Sequence, residues 1–238
     1  MNVIVYTLIT THIGILVTTI YLHRCLAHRQ YTPHPALQHV FRFLLWVTDG
    51  VVAKPWVAQH RKHHKYTDVQ GDPHSPVLRG FWNVTSKCLV PNFFVKYKYF
   101  DTDWALEHYS KGVPDDWIEK HLYSHTRLGL SLLLFLNIAL FGWAGIISWL
   151  FHMFFVSLFI NATITGFAHT FGYRNYSTTD NSKNLFPIGL LSCGEEMHNN
   201  HHKDPANPNF AHRWFEFDLG WCYITLLKYL GMARIKNR

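Results

Sequence analysis

Residues 3–22, VIVYTLITTHIGILVTTIYL, carry no formal charge, and twenty such positions are about what one helix needs to cross a bilayer. The run has neither a basic start nor a small-residue cleavage site and is followed by HRCLAHR, so it reads as a membrane span rather than a cleaved signal peptide. From 128 to 173 a second charge-free stretch, bounded by Arg127 and Arg174, is long enough for two spans of ~20 residues each. A turn near 142–145 makes it a helical hairpin over 128–170. Both arginines then share one side, the cytoplasm by the bias of basic residues toward that face.

Between these runs the pattern changes. Residues 36–53 are apolar but include Arg42 and Asp49, which leaves neutral stretches too short to cross and predicts an interfacial or buried helix. The region 54–127 is polar and aromatic. Within it, DTDWALEHYSKGVPDDWIEKH predicts an amphipathic helix, a turn at 112–114 and a second helix, with its charges as a solvated face. After Arg174 a polar loop, YSTTDNSKN, precedes the tail WFEFDLGWCYITLLKYLGMARIKNR, whose interleaved aromatics and basic end predict a helix along the cap or the headgroups. With no repeat or linker, residues 1–238 read as one all-α integral membrane domain. It has three spans (3–22 and the 128–170 hairpin), an interfacial helix at 36–53 and cytoplasmic cap segments at 54–127 and 171–238.

Composition agrees with membrane helices joined to a polar cap. Apolar residues make up 48% and charged residues 16%, against ~25% charged in ordinary soluble domains, while mean hydropathy is −0.04. The net charge of +7 suits a membrane surface or an acidic partner, and the apolar content excludes a disordered basic tail that would bind nucleic acid. Cysteines 25, 88, 193 and 222 form no Cys-x-x-Cys pair, which argues for reduced thiols and against a zinc ribbon. Histidine is the outlier, at 18 residues.

Eight of the histidines fall in three clusters: His23 and His28 in HRCLAH; His60, His63 and His64 in HRKHH; His198, His201 and His202 in HNNHH. The first cluster ends the first span, no crossing separates it from the second, and the hairpin returns the chain to the same face before the third. In a helix His60 shares a face with both His63 and His64, and those two fan about 100° apart, which suits two adjacent ions. The five-residue spacing of His23 and His28 fits no single α-helical face, so the helix is expected to end or distort between them. So many imidazoles exceed the four ligands of one tetrahedral zinc and favour a dinuclear centre. His169, at the end of the third span and facing the same plane, is a functional candidate by its depth. His12, His34, His39, His108, His121, His125, His152 and His212 are expected to bind no metal, and His74 in GDPHSP reads as a turn residue.

HRCLAHR, WVAQHRKHH followed by DVQGDPHSP, and GEEMHNNHH, in this order, resemble the histidine boxes of the membrane fatty acyl desaturases of the acyl-CoA desaturase family. INATITGFAHTFGYRNY resembles the segment that supplies the family's isolated histidine, and WFEFDLGW the tail of bacterial members. The likeness covers about residues 10–232. It implies a diiron centre on His23, His28, His60, His63, His64, His169, His198, His201 and His202, oxygen-dependent insertion of a cis double bond, commonly at the ninth carbon, and Trp56 in the wall of a bent acyl channel. Two departures stand out. The family usually has four spans where this chain shows three, and often has Asn where Thr165 stands, four residues before His169. A threonine hydroxyl there is a candidate holder of a metal-bound water.

Removing hydrogen from an unactivated methylene needs a redox metal, and zinc has no redox chemistry. Asp68, Asp72, Glu195, Glu196 and Asp204 flank the boxes and are candidates to orient ring N–H groups. Arg61, Lys62, Lys65 and Lys203 give the cytoplasmic face a positive field for an acidic electron donor, such as ferredoxin, rubredoxin or a small cytochrome, or for acyl headgroup phosphates. The alternatives are a histidine-box membrane hydroxylase and, further off, a metal transporter. A transporter would place polar ligands at midmembrane depth.

Overall fold

In the computed structural model, which describes residues 2–94 and 103–235, two long apolar helices carry the architecture. The first comprises α1 (Val3–Val17) and, without a break, a π-helical stretch (Thr18–Ala27). After β1 (Tyr31–Pro33) come α2 (Pro35–Thr48), α3 (Ala53–Tyr66), α4 (Pro76–Arg79), α5 (Phe81–Leu89) and α6 (Asp103–Tyr109). A π-turn (Glu119–Tyr123) leads to α7 (Thr126–Phe141). The second long helix is α8 (Trp143–Val156), a π-stretch (Ser157–Gly166) and a 3-10 turn (Phe167–His169). Then follow β2 (Ile188–Gly189), α9 (His198–Lys203), β3 (Phe217–Asp218), α10 (Leu219–Tyr229) and β4 (Ala233–Ile235). β1 pairs antiparallel with β4, and β2 pairs parallel with β3. Residues 95–102 of the expected cap and 236–238 of the basic tail lie outside the described residues.

The long helices, Val3–Ala27 and Trp143–His169, have mean hydropathies of 1.9 and 1.8 and suffice by length to cross a membrane. The hairpin turn falls on Gly142, whose φ of +59° suits glycine. At sixteen residues, α7 rises roughly 24 Å and falls short of the length expected of a third span. Polar side chains tie these helices together. Tyr6 Oη donates to Asn137 Oδ1 at 2.6 Å, Thr7 and Ser148 share a 2.6 Å bond, and Trp149 Nε1 donates to the Leu130 carbonyl. A Cβ on Gly145 would sit 2.1 Å from the Asn137 oxygen, the close approach that small residues permit between membrane helices. Leu132, Phe135, Phe151 and Phe154 point outward.

Helix α2 ends at Thr48, short of the expected 53, and packs on both α1 and α7. Its two charges are buried. Arg42 Nε donates to Glu119 at 2.7 Å and Nη2 to Asp116 at 2.6 Å, and Asp49 accepts from the Thr18 hydroxyl. This corrects the expectation that the acidic residues at 103–121 form only a solvated face, since Glu119 is buried beneath Arg42. Arg61 likewise serves the fold rather than a surface field, donating to the carbonyls of Leu26, Ala27, Tyr109 and Lys111.

Candidate metal centre

The π-winding of the first long helix solves the spacing of the first box. The amide of His28 donates to the carbonyl of His23 at 3.0 Å, five residues back, so the helix widens instead of ending, and the two rings lie 4.7 Å apart edge to face. Such widened turns concentrate at functional sites. On α3 and α9 the histidines fall at i, i+3 and i+4 of ordinary helical turns, and each helix divides its three rings the same way. The i+3 ring of α3 goes to one cluster and its i and i+4 rings to the other, while α9 does the reverse. The result is one group of His23, His28, His60, His64 and His201 and a second of His63, His169, His198 and His202. The fan of His63 and His64 thus divides them between the two clusters, and His60 joins His64.

Within the first group His28 and His60 approach Nε2 to Nε2 at 2.8 Å, and His201 Nε2 lies 3.1 Å from that of His23 and 3.0 Å from that of His64. Within the second, His169 and His198 meet at 3.0 Å. Around the outside, carboxylates accept from the opposite nitrogens. His23 Nδ1 donates to Glu195 at 2.9 Å, His63 Nδ1 to Asp72 at 3.0 Å, His169 Nδ1 to Asp68 at 2.9 Å and His202 Nδ1 to Asp180 at 3.2 Å. A neutral ring that donates from Nδ1 carries its lone pair on Nε2, so four rings present lone pairs inward. Burial holds His28, His60, His64, His198 and His201 well below the usual imidazole range, and the neighbouring rings push them further down. Burial opposes the ionised form of Asp68, yet bonds from His169, Ser75 and the Asn181 amide outweigh it and hold Asp68 below the ordinary carboxylate range.

These residues fit metal ions. His202 Nε2 is buried without a partner, and one His201 nitrogen faces two others at once, which no single N–H can satisfy. Two imidazoles bound at about 2.1 Å to one ion and roughly at right angles are ~3 Å apart, the separation seen here. Of the flanking carboxylates named from the sequence, Glu196 does something else, accepting from the backbone amides of Ser192 and Gly194. Asp204 ends α9, where its amide donates to the Asn200 carbonyl. Asp180 was missed because it lies twenty-two positions from its histidine in a loop that reads only as polar.

Beside the clusters lies a cavity of about 260 Å³, lined by His23, His60, His63, His169 and His198 at one end and by Val84, Cys88, Ile160, Ile164 and Thr165 along its wall. Trp56 lines it too, stacked on His60 at 5.0 Å and 10° between planes. His74 is more than a turn residue, since it lines the same cavity and stacks on His63 at 4.5 Å. Thr165 is hydrogen-bonded to the Cys88 side chain. Thr165 lies in the π-stretch and His169 ends the 3-10 turn that follows it, and both line the cavity. His152, expected to bind no metal, donates from Nε2 to the Thr48 carbonyl.

A sequence model described as Fatty acid desaturase matches residues 1–219. The chain belongs to the fatty acid desaturase family. It is 31% identical to an sn-1 stearoyl-lipid 9-desaturase of Synechocystis sp. over 95% of this chain and 68% of that protein. It is also 31% identical to an acyl-CoA 5-desaturase of Anemone leveillei, over 92% and 67%, and 30% identical to delta-9 acyl-lipid desaturase 1 of Arabidopsis thaliana, over 95% and 72%. The chain thus spans 67 to 72% of the length of these three. As in other desaturases of the family, the histidine clusters are consistent with a dimetal site, and the enzyme class is oxidoreductase, acting on fatty acyl substrates.

Proposed function

We propose that this desaturase inserts a cis double bond at the ninth carbon of a saturated acyl chain carried as acyl-CoA, using two irons and dioxygen. The observation that carries the reading is a pair of imidazole clusters, five and four rings, set beside one largely apolar cavity onto which His23, His60, His63, His169 and His198 open. His23, His28, His60, His64 and His201 would hold one iron and His63, His169, His198 and His202 the other. With both sites filled, reduced and supplied with oxygen, the centre would supply the oxidant that an unactivated methylene requires.

What this chain's own residues contribute is position and protection. Glu195, Asp72, Asp68 and Asp180 lock four rings in the ligating tautomer. Trp56 holds His60 flat and closes the wall beside it. The walls from α5 and the second long helix leave one pair of carbons nearest the metal end, and geometry alone separates one methylene from its neighbours. Arg79 and Lys87 also line the cavity and offer cations to a phosphate-bearing carrier. In this reading α7 completes a third crossing, the site faces the cytoplasm, and Lys62, Lys65 and Lys203 receive an acidic electron donor such as ferredoxin, rubredoxin or a small cytochrome.

Expression in a desaturase-deficient host with analysis of the lipid products tests the reaction. An alkene at the ninth carbon is expected. An alcohol would convert the reading to hydroxylation, and an alkene elsewhere would overturn the position. Elemental analysis after anaerobic reconstitution with ferrous iron tests the centre, where saturation at a single ion per chain would overturn the dinuclear assignment.

A further inference from the structure

We propose that residues 186–191, with Phe215 and Phe217 beside them, form a membrane wedge, a non-helical part of the cap that lies in the boundary between lipid headgroups and acyl chains. Phe186, Ile188, Leu190 and Leu191 are each about half exposed, at 57, 55, 49 and 54%, and Phe215 and Phe217 at 45 and 42%. The parallel ladder sets them side by side, pairing Ile188 with Phe217 while the Phe217 amide donates to the Pro187 carbonyl at 2.8 Å. A soluble cap would not gather so many large apolar side chains on one surface without a covering partner.

The depth of this patch identifies what covers it. Ser192 Oγ donates to the Phe159 carbonyl at 2.9 Å, and Cys193 packs in one cluster with Ile15, Val156 and Ile160, residues from within both long helices. Phe159 lies sixteen residues beyond Trp143, a rise of roughly 24 Å. Measured from Trp143, an exposed tryptophan at the hairpin turn and a residue type that marks the interface, a hydrocarbon layer of ~30 Å places the Ser192 anchor about 6 Å inside the near boundary. Interfacial segments bury their apolar face about 5–10 Å. The patch is also continuous with a membrane-spanning helix whose Phe151 and Phe154 face outward.

Irregular backbone at this depth must satisfy its own polar groups. Glu196 supplies the acceptors: Oε1 takes the Ser192 amide at 2.7 Å, Oε2 the Gly194 amide at 3.1 Å, and its carbonyl the Leu185 amide at 2.7 Å. Glu196 thereby pins the backbone on both sides of the wedge, at Leu185 before it and at Ser192 and Gly194 after it. The inference rests on the membrane placement of the family and not on the proposed substrate or bond position.

The test uses the full chain, loaded with iron, in liposomes. With exposed Cys222 replaced by Ser, an environment-sensitive fluorophore is attached at Leu191→Cys and, for comparison, at Thr178→Cys in the polar loop. Spin-labelled lipid with its nitroxide near the top of the acyl chain is expected to quench the label at 191 at least about twofold more than that at 178, with the order reversed for aqueous iodide, as for a segment seated at interfacial depth. Equal quenching at the two positions, or iodide access at 191, overturns the proposal and would point to a protein partner on this face. Ile188→Cys serves as the second site if Leu191→Cys fails to fold, with the same expected and overturning results.

Discussion

The guanidinium of Arg24, fully buried, meets the carboxylate of Asp218 through two hydrogen bonds of 3.0 Å. Arg24 also donates to the carbonyls of Pro208 and Cys193 and lies 3.9 Å over the Phe210 ring, while Asp218 accepts from the Phe210 and Trp221 amides. The end of the first long helix is thereby fastened to the start of α10. Removing Asp218 leaves the buried guanidinium only the more distant Glu195, 3.7 Å from Nε, and breaking such a buried pair costs about 3–5 kcal/mol, so Asp218→Ala should unfold many degrees earlier on heating in detergent. The partly exposed pair of Lys54 with Glu107 is worth at most about 1 kcal/mol, and Glu107→Ala should leave the transition nearly unmoved. Equal shifts for the two variants would contradict this ranking.

Asp180 fixes the His202 ring from the outside, at 3.2 Å. Losing such a partner lowers metal affinity about 10–100-fold. Asp180→Ala should therefore lose iron from the His63, His169, His198 and His202 cluster first, leaving close to one ion per chain after dialysis against a mild chelator. Glu196→Gln, which touches backbone amides rather than a ring, should keep both ions in whatever fraction stays folded. Iron content read against the folded fraction separates the two.

Much of this site was legible in the chain itself because histidine spacing within a helix is a local property. The i, i+3, i+4 patterns of HRKHH and HNNHH place their rings without knowledge of the rest. His23 and His28 were harder, since an α-helical reading separates them and only the observed π-winding, with the His28 amide on the His23 carbonyl, brings them together. Long-range pairings were hidden. Nothing near Arg42 announces Glu119, nothing near His202 announces Asp180, and Glu196 sits beside a box yet serves the loop before it. Proximity in sequence is a fair guide to a ligand and a poor one to the ligand's support.

The metal-free protein should be acid-labile well above the carboxylate range. Burial first, and neighbouring rings second, hold His28, His60, His63, His64, His198 and His201 well below 6.5, and His74 is pushed down to about 3. Below pH 6.5 the unfolded chain takes up protons that these folded rings refuse, so stability falls as pH falls through that value and continues to fall toward the lowered folded values. Each such group contributes up to about 1.4 kcal/mol per pH unit in that window. Asp68 and Asp180, held low in the fold, add a further loss once pH drops through the ordinary carboxylate range. Thermal unfolding of chelator-treated protein should show little change from pH 8 to 7 and a steep drop from 7 to 5. A flat profile through pH 6 would mean that the rings take up protons in the fold as readily as in the unfolded chain.

Thr165 tests how a cavity wall is told from a metal's hydrogen-bonding shell. Its hydroxyl is engaged with the Cys88 side chain, whose thiol burial pushes up to about 11, and both residues line the cavity beyond the histidines. With that hydroxyl already committed, Thr165→Val should keep its iron and its coupling of donor oxidation to alkene formation, with turnover within about fivefold, since a swap that loses one neutral hydrogen bond costs ~1 kcal/mol. Cys88→Leu adds bulk to the same wall and should shift the products toward shorter acyl chains while iron content stays constant. The discriminating measurement is peroxide released per donor oxidised. If Thr165→Val leaks peroxide while Cys88→Leu does not, the threonine hydroxyl reaches the reacting oxygen during turnover, and its bond to Cys88 is only its resting partner.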